Sequence, residues 1–241
     1  MNTEALLAYR ELKSINIAYL EENNEVEEMQ EDKITAYIEA LVPRRIKEIE
    51  EIENYAHDND VPIMELVGIE ALLQLLRIHK PKVILEIGTA IGYSAIRMAN
   101  ALPDTTIVTV ERDEQRYKIA EQNVAKLNKQ KQIKLIYGDA FEVEDLVQQF
   151  GPYDALFIDA AKSQYRKFFD IYTKQLSNEG IIFTDNILFH GLVAESNIES
   201  RNVRALVRKI NNYNEWLMSH PEYETAILPV GDGIAISKKR R

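Results

Sequence analysis

The chain has no cysteine, so disulfide staples and thiolate metal sites are excluded, which fits a reducing compartment. It has no apolar run long enough to cross a bilayer, and its polar opening stretch lacks the pattern of a secretory signal. Both absences lead us to expect a cytoplasmic protein with no membrane partner. Internal repeats and low-complexity tracts are missing too, so solenoid architectures are set aside. Positive charge is scarce: 29 Lys and Arg against 39 Asp and Glu give a net charge of −10, which opposes bulk attraction to nucleic acid. The deficit is uneven. Residues 1–28 hold seven Glu against Arg10 and Lys13, a net of −5 that leaves −5 for residues 29–241. Two local reversals stand out: Arg201, Arg204, Arg208 and Lys209 recur at helical spacing, and Lys238-Lys239-Arg240-Arg241 is wholly basic. On composition alone, either run reads as a solvated face.

What is present suits one α/β domain: 241 residues, 46% hydrophobic and 28% charged, are enough for a sizeable core. Leu6, Leu7, Ile15, Ile17 and Leu20 allow a helix over 1–22, and the acidic stretch Glu21 to Glu31 reads as a linker. Ile34, Tyr37, Ile38 and Leu41 restore helical periodicity up to Pro43. Residues 1–28 are therefore expected to be an appendage without chemistry, and 29–241 the functional domain. Helices are expected over 46–55 and 65–78, joined by the extended Val61-Pro62-Ile63-Met64. Strands and helices then alternate. Strands are expected at Val83–Ile87, Thr106–Val110, Ile133–Tyr137, Tyr153–Ile158 and Gly180–Thr184. A loop from Asp185 to Ser200, a helix to about Met218 and a hairpin around Gly231-Asp232-Gly233 complete the pattern. Five strand–helix units and a hairpin predict a Rossmann-like doubly wound sheet of about seven strands. It would be mostly parallel, with an antiparallel C-terminal hairpin and added N-terminal helices.

The chain is organised around Val83-Ile84-Leu85-Glu86-Ile87-Gly88-Thr89-Ala90-Ile91-Gly92-Tyr93-Ser94. A buried strand ends in an acid, and two glycines bracket a turn into a helix. Small residues let a ligand lie against the backbone, and the helix N-terminus offers unpaired N–H groups to an anion. Dinucleotide enzymes use G-x-G-x-x-G; Gly88-x-x-x-Gly92 after Glu86 instead resembles motif I of S-adenosylmethionine methyltransferases. The bland alternative is a strand–turn–helix whose glycines merely permit close packing.

Ligands in such sheets lie outside the carboxyl ends of the strands. Those ends supply Glu86 and Gly88, then Glu111, then Gly138-Asp139-Ala140, then Asp159 with Lys162, then Asp185-Asn186. Glu111 follows Gly88 at about the 20-residue spacing of a ribose-binding acid. A lone acid at a strand end can be a helix cap, the plain reading for Asp113 and Asp139. Asp159, Asp185 and Asn186 together offer two carboxylates and an amide, a set for a hard cation such as Mg²⁺. Without a cation, two adjacent carboxylates would repel; a hydrogen-bonded turn is the competing reading.

Ile158-Asp159-Ala160-Ala161-Lys162-Ser163-Gln164-Tyr165 and Thr184-Asp185-Asn186-Ile187-Leu188 resemble the metal and lysine motifs of the catechol-type, cation-dependent O-methyltransferases. The Gly88–Ser94 loop is similar to that family's cofactor loop, and Leu228-Pro229-Val230-Gly231-Asp232-Gly233 to its closing hairpin. The resemblance runs from about Met29 to the C-terminus, with the motifs in order. Within the family, Val61-Pro62-Ile63-Met64, the Asp185–Val193 run, Trp216-Leu217-Met218 and the basic tail are most similar to the bacterial enzymes that convert tRNA wobble 5-hydroxyuridine to 5-methoxyuridine.

The resemblance implies roles. Glu111 would hold the ribose of S-adenosylmethionine, Asp139 and Ala140 the adenine, and Tyr93, Ser94 and the Gly88–Gly92 backbone the methionine part, with Met64 packed on the cofactor. Mg²⁺ on Asp159, Asp185 and Asn186 would orient the substrate hydroxyl and its neighbouring oxygen, with Lys162 as base or oxyanion stabiliser. A 5-hydroxyuridine offers the same two-oxygen bite as a catechol. The implied partners are a tRNA anticodon stem-loop, held by Arg201, Arg204, Arg208, Lys209 and Lys238–Arg241, and a second copy in a homodimer. Two departures stand against the family pattern: its further catechol-binding carboxylate has no counterpart beyond the unmatched Glu195, and His190 has no assigned role. A small diphenol substrate and a non-catalytic RNA-binding module are the alternatives.

Overall fold

The computed structural model describes residues 24–240. The expected helix over 1–22 and Arg241 lie outside the described residues. Two compact units divide after Arg44. The first contains helix α1 (Asn24–Leu41), which runs through the stretch expected to be a linker and across the expected 28/29 boundary. Glu, Gln and Met are good helix formers even where they bury nothing, so an acidic, weakly apolar stretch was a poor sign of a break. Pro43 follows two residues after the helix ends. Ile34, Tyr37, Ile38 and Leu41 are exposed along one face of α1.

The second unit begins with α2 (Lys47–Asp58) and α3 (Leu66–His79). Next come β1 (Val83–Ile87), α4 (Tyr93–Ala101), β2 (Thr106–Glu111), α5 (Glu114–Lys126) and β3 (Ile133–Tyr137). Then come α6 (Glu144–Gln148), β4 (Tyr153–Ile158), a 3-10 turn (Lys162–Gln164), α7 (Tyr165–Tyr172) and β5 (Leu176–Thr184). The last elements are α8 (Arg201–Met218), β6 (Tyr223–Leu228) and β7 (Ile234–Lys239). The seven strands lie in the order β3-β2-β1-β4-β5-β7-β6. The first five are parallel, while β7 runs antiparallel to both β5 and β6. The expected mostly parallel sheet with an antiparallel C-terminal hairpin is what forms. β5 starts earlier than expected: Leu176 pairs with Tyr153, and an irregularity separates it from Ile181 opposite Ala155.

Two apolar layers hold the sheet. Leu72, Leu76, Ile84, Ile96, Ile107 and Phe157 pack on one face, and Leu85, Val108, Leu156, Phe169, Ile182 and Leu217 on the other. Strands buried on both faces explain why their sequences are nearly continuous apolar runs. The chain winds outward from β1 through β2 to β3 on one side and from β4 to β5 on the other, so strand order reverses between β1 and β4, and the crevice at that point opens at the carboxyl ends. Among the described residues no helix is long and apolar enough to cross a membrane.

Candidate active site

The first loop after β1 is pinned to both neighbouring strands. Gly88 and Thr89 N–H groups donate to the Val110 carbonyl at 3.1 Å each, and the Asp159 N–H donates to the Ile87 carbonyl at 3.0 Å. Gly88 has φ 104°, and a Cβ there would overlap the Asp159 carbonyl oxygen. Gly92, with φ 86°, turns the chain into α4 as its N-cap. Both positions need backbone freedom that only glycine has at low cost.

Beneath this loop lies Glu86, 0% exposed. Ser94 Oγ donates to its Oε1 at 2.5 Å, and Thr109 donates to its Oε2. Burial pushes this carboxyl up to about 7 from an ordinary 4.5, although both hydroxyls oppose the rise. The side chain therefore braces the loop from below and does not line the cavity above it. The folded protein holds the extra proton between roughly pH 4.5 and 7, so Glu86 contributes stability that is complete below the lower value and lost as pH rises through the upper one. Going from pH 5 to pH 8 is expected to lose up to about 3 kcal/mol through this group. Glu86→Gln, which cannot ionise, should flatten that part of the pH profile. Chemical denaturation at both pH values reads it, and an unchanged slope in the variant would show that Glu86 does not titrate there.

A second, partly buried network supports the start of α4. Tyr93 Oη donates to Glu53 at 2.8 Å, Arg97 donates to Tyr93 Oη at 2.6 Å and also to Glu70, and Arg45 forks onto Glu53. Burial raises the Tyr93 hydroxyl well above its ordinary range, so it stays a neutral donor.

Above the loop is a cavity of about 630 Å³. Met64, Gly88, Tyr93, Ser94, Glu111, Asp139, Ala140, Asp159, Lys162, Asp185 and Asn186 all line it. Glu111 accepts the Ala90 N–H and the Asp113 N–H, both at 2.8 Å, which fixes its carboxylate at the wall. Asp139 Oδ1 accepts the Phe141 N–H at 3.0 Å, and Oδ2 faces Arg112 at 3.4 Å. Sequence reading missed the stacked pair Phe141 and Phe168, whose rings are 4.7 Å apart and 8° from parallel. Phe141 directly follows Asp139-Ala140, which was the available clue.

Asp159 and Asp185 end the neighbouring strands β4 and β5. Asp185 is 2% exposed. Burial raises both carboxyls, and their mutual repulsion raises Asp185 further, with Lys162 opposing. Asn186 adopts φ 56°, and its Oδ1 accepts from Lys162 Nζ at 3.0 Å. A buried and a half-buried carboxylate beside an amide oxygen, with no sulfur, suit a hard divalent cation. Among the described residues no three His, Asp or Glu side chains converge, so the set depends on Asn186. The loop that carries Asn186 also holds Phe189 and His190 at positive φ. The closing hairpin clamps it: Ile187 N–H donates to the Gly233 carbonyl at 3.2 Å and Leu188 N–H to the Asp232 carbonyl at 3.0 Å, while the Asp232 carboxylate accepts the His190 N–H. His190 and Glu195 themselves are exposed and outside the cavity lining.

The two basic runs lie at opposite edges of the sheet. Tyr213 Oη meets Thr184 Oγ1 at 3.0 Å and Asn214 Nδ2 donates to the Ile187 carbonyl at 2.8 Å. The part of α8 before them, with exposed Arg201, Arg204, Arg208 and Lys209, therefore extends past the carboxyl edge where the cavity opens. Lys238 pairs across from Ile181 and Lys239 across from Tyr223, roughly 10 and 13 Å respectively down the sheet from Thr184 at a strand's rise per residue. Lys238 is ion-paired with Glu179 at 3.2 Å and Arg240 with Glu224 at 3.0 Å. The described part of the tail, Lys238–Arg240, thus lies down the sheet from the α8 run and is partly neutralised by Glu179 and Glu224; Arg241 is outside the described residues.

An O-methyltransferase family model matches residues 42–240. A caffeoyl-CoA O-methyltransferase of Stellaria longipes is 30% identical over 88% of this chain and 92% of its own length. A catechol O-methyltransferase of Niastella koreensis is 33% identical over 68% of this chain and 77% of its own. A candidate caffeoyl-CoA O-methyltransferase from Staphylococcus aureus superposes with TM-score 0.81 at 42% identity, covering 86% of this chain and 99% of that one. An S-adenosylhomocysteine-bound methyltransferase of Podospora anserina gives TM-score 0.77 at 26% identity, over 91% and 97%. With the glycine loop, the strand-end acids and the cavity between them already in place, these matches make the chain a member of the O-methyltransferase family.

Proposed function

We propose that this protein transfers a methyl group from S-adenosylmethionine to the 5-hydroxyl of 5-hydroxyuridine in a tRNA anticodon loop, with a divalent cation held by Asp159, Asp185 and Asn186. The relative from Podospora anserina binds the demethylated cofactor, and the cavity here suits the same molecule. Glu111, braced by two backbone N–H groups, would accept the ribose hydroxyls, and Met64 would pack along the sulfonium end. When bound, the cation would supply Lewis-acid polarisation that acidifies the substrate hydroxyl. Lys162 Nζ, anchored at Asn186 Oδ1, would hold the developing oxyanion or take its proton. Buried walls would keep water from the reacting oxygen.

The observation that carries the RNA reading is the exposed stripe Arg201, Arg204 and Arg208 on the cavity's edge of the sheet, placed to meet anticodon phosphates while a loop base enters. Purified protein, S-adenosylmethionine, Mg²⁺ and a stem-loop carrying 5-hydroxyuridine should yield 5-methoxyuridine by nucleoside mass spectrometry. The double variant Arg204→Glu, Arg208→Glu should weaken binding of the stem-loop at least tenfold and flatten its salt dependence, whereas Lys239→Glu should change neither. The second reading, a small catechol or a caffeoyl thioester as methyl acceptor, draws support from the names of the relatives. Methylation of free catechols with no reaction on the stem-loop would decide for it.

A further inference from the structure

α8 reaches the loop that follows β5 through two asparagines on one face of the helix, a turn apart. Asn214 Nδ2 donates to the Ile187 carbonyl at 2.8 Å, and Asn211 Nδ2 donates to the Val193 carbonyl at 3.2 Å. The helix is itself fixed to the strand end, where Tyr213 Oη meets Thr184 Oγ1. One asparagine thus holds the loop where it begins, beside Asn186, and the other holds it where it returns.

The bond from Asn214 is the one that bears on Asn186. The Ile187 carbonyl and the Leu188 N–H belong to one planar peptide and point in opposite directions. That N–H goes to the Asp232 carbonyl at 3.0 Å, so hairpin and helix grip the peptide from both sides. Asn186, immediately before it, has φ 56°, a conformation that persists only where its surroundings enforce it. Ile187 is 0% exposed, so without Asn214 its carbonyl has no solvent to turn to. The peptide would have to rotate toward another partner, and the Asn186 side chain would turn with it. The other half of the Asn214 amide is a liability: its Oδ1 is buried with no hydrogen-bond partner in the protein, which costs stability. Leucine would pack better, so what asparagine contributes is its bond to Ile187. At Asn186, Lys162 takes one of the two lone pairs on Oδ1 and leaves the other for a cation. We infer that Asn214 is a positioning residue for Asn186, an assignment that rests on the proposed cation at that residue. By fixing the Ile187 peptide, α8 aims the amide oxygen that completes the set begun by Asp159 and Asp185.

Titration of the chelator-treated full-length protein with Mn²⁺, read by electron paramagnetic resonance, tests this without any turnover. Asn214→Leu, similar in size and free of the buried oxygen, should stay folded by circular dichroism. It should bind Mn²⁺ roughly tenfold more weakly than wild type, the scale of losing a group that orients a metal ligand. Asn214→Ala should repeat the loss. Asn211→Ala, which removes the matching bond at the far end of the loop, should bind Mn²⁺ as wild type does. Asn186→Ala should weaken the site in its own right, and adding Asn214→Leu to it should change nothing more. Wild-type affinity in Asn214→Leu overturns the assignment. Equal weakening in Asn211→Ala does so too, since the loop would then merely be loosened, and so does a further loss in the double variant. Each of these leaves the cation reading intact, whereas a wild-type protein that binds no Mn²⁺ overturns that reading itself.

Discussion

Asp185→Asn is expected to lower methyl transfer by roughly a thousandfold while raising the melting temperature of the metal-free protein. The two effects share one cause. Asp185 is buried, and its carboxyl is raised first by loss of solvent and then by Asp159, with Asp232 adding to the repulsion. A charge in that position destabilises the empty fold. Its backbone is held independently of the carboxylate, by its N–H to the Ile158 carbonyl at 3.1 Å and by Tyr165 Oη to its own carbonyl at 2.9 Å. An isosteric amide should therefore keep the loop in place and relieve the repulsion, by about 1 kcal/mol or more, or a few degrees in Tm. Removing one anionic ligand should at the same time weaken the cation and with it the several kcal/mol that polarisation supplies. Calorimetric melting in chelator, beside initial rates at saturating Mg²⁺, measures both. Wild-type rates in the variant would end the cation reading, and a lower Tm would mean that the carboxylate serves the turn instead.

Gly88→Ala should be the most damaging single substitution in the loop, costing about 3–5 kcal/mol and abolishing cofactor binding. The backbone there has φ 104°, a region costly for any residue with a Cβ. The added carbon would also meet the Asp159 carbonyl oxygen, which is main chain and cannot swing away. Relief would require β1 and β4 to part where Ile87 pairs with Ile158, and that would also displace Asp159. Loss of about 10 °C or more in Tm is expected on this scale, with no binding of S-adenosylhomocysteine. A soluble variant that melts within a degree of wild type would show that the loop relaxes in a way the packing does not suggest.

The strands were legible because burial on both faces writes them as β-branched and apolar runs, as in Val83–Ile87 and Tyr153–Ile158. The early part of β5 was not, since Leu176-Ser177-Asn178-Glu179 is polar and meets β4 through an irregular register. Acids at strand ends announced the cavity, because the fold class places ligands there. Which acids face the cavity was hidden: Glu86 points down to Ser94 and Thr109, hydroxyls that only the folded chain brings near it. Likewise the pairing of Lys238 with Glu179 and of Arg240 with Glu224 depends on sheet neighbours far apart in sequence.

The clamp on the Asn186 loop has a consequence for the order in which the molecule is made. Every acid at the strand ends has left the ribosome once residue 185 emerges, yet Ile187, Leu188 and His190 take their partners from Asp232 and Gly233. β7 also inserts between β5 and β6, with Ala235 beside Thr184. A nascent chain therefore carries all its carboxylates well before the hairpin that shapes their loop. Until some fifty further residues are synthesised, it is a sheet with an open edge at β5 and no finished site.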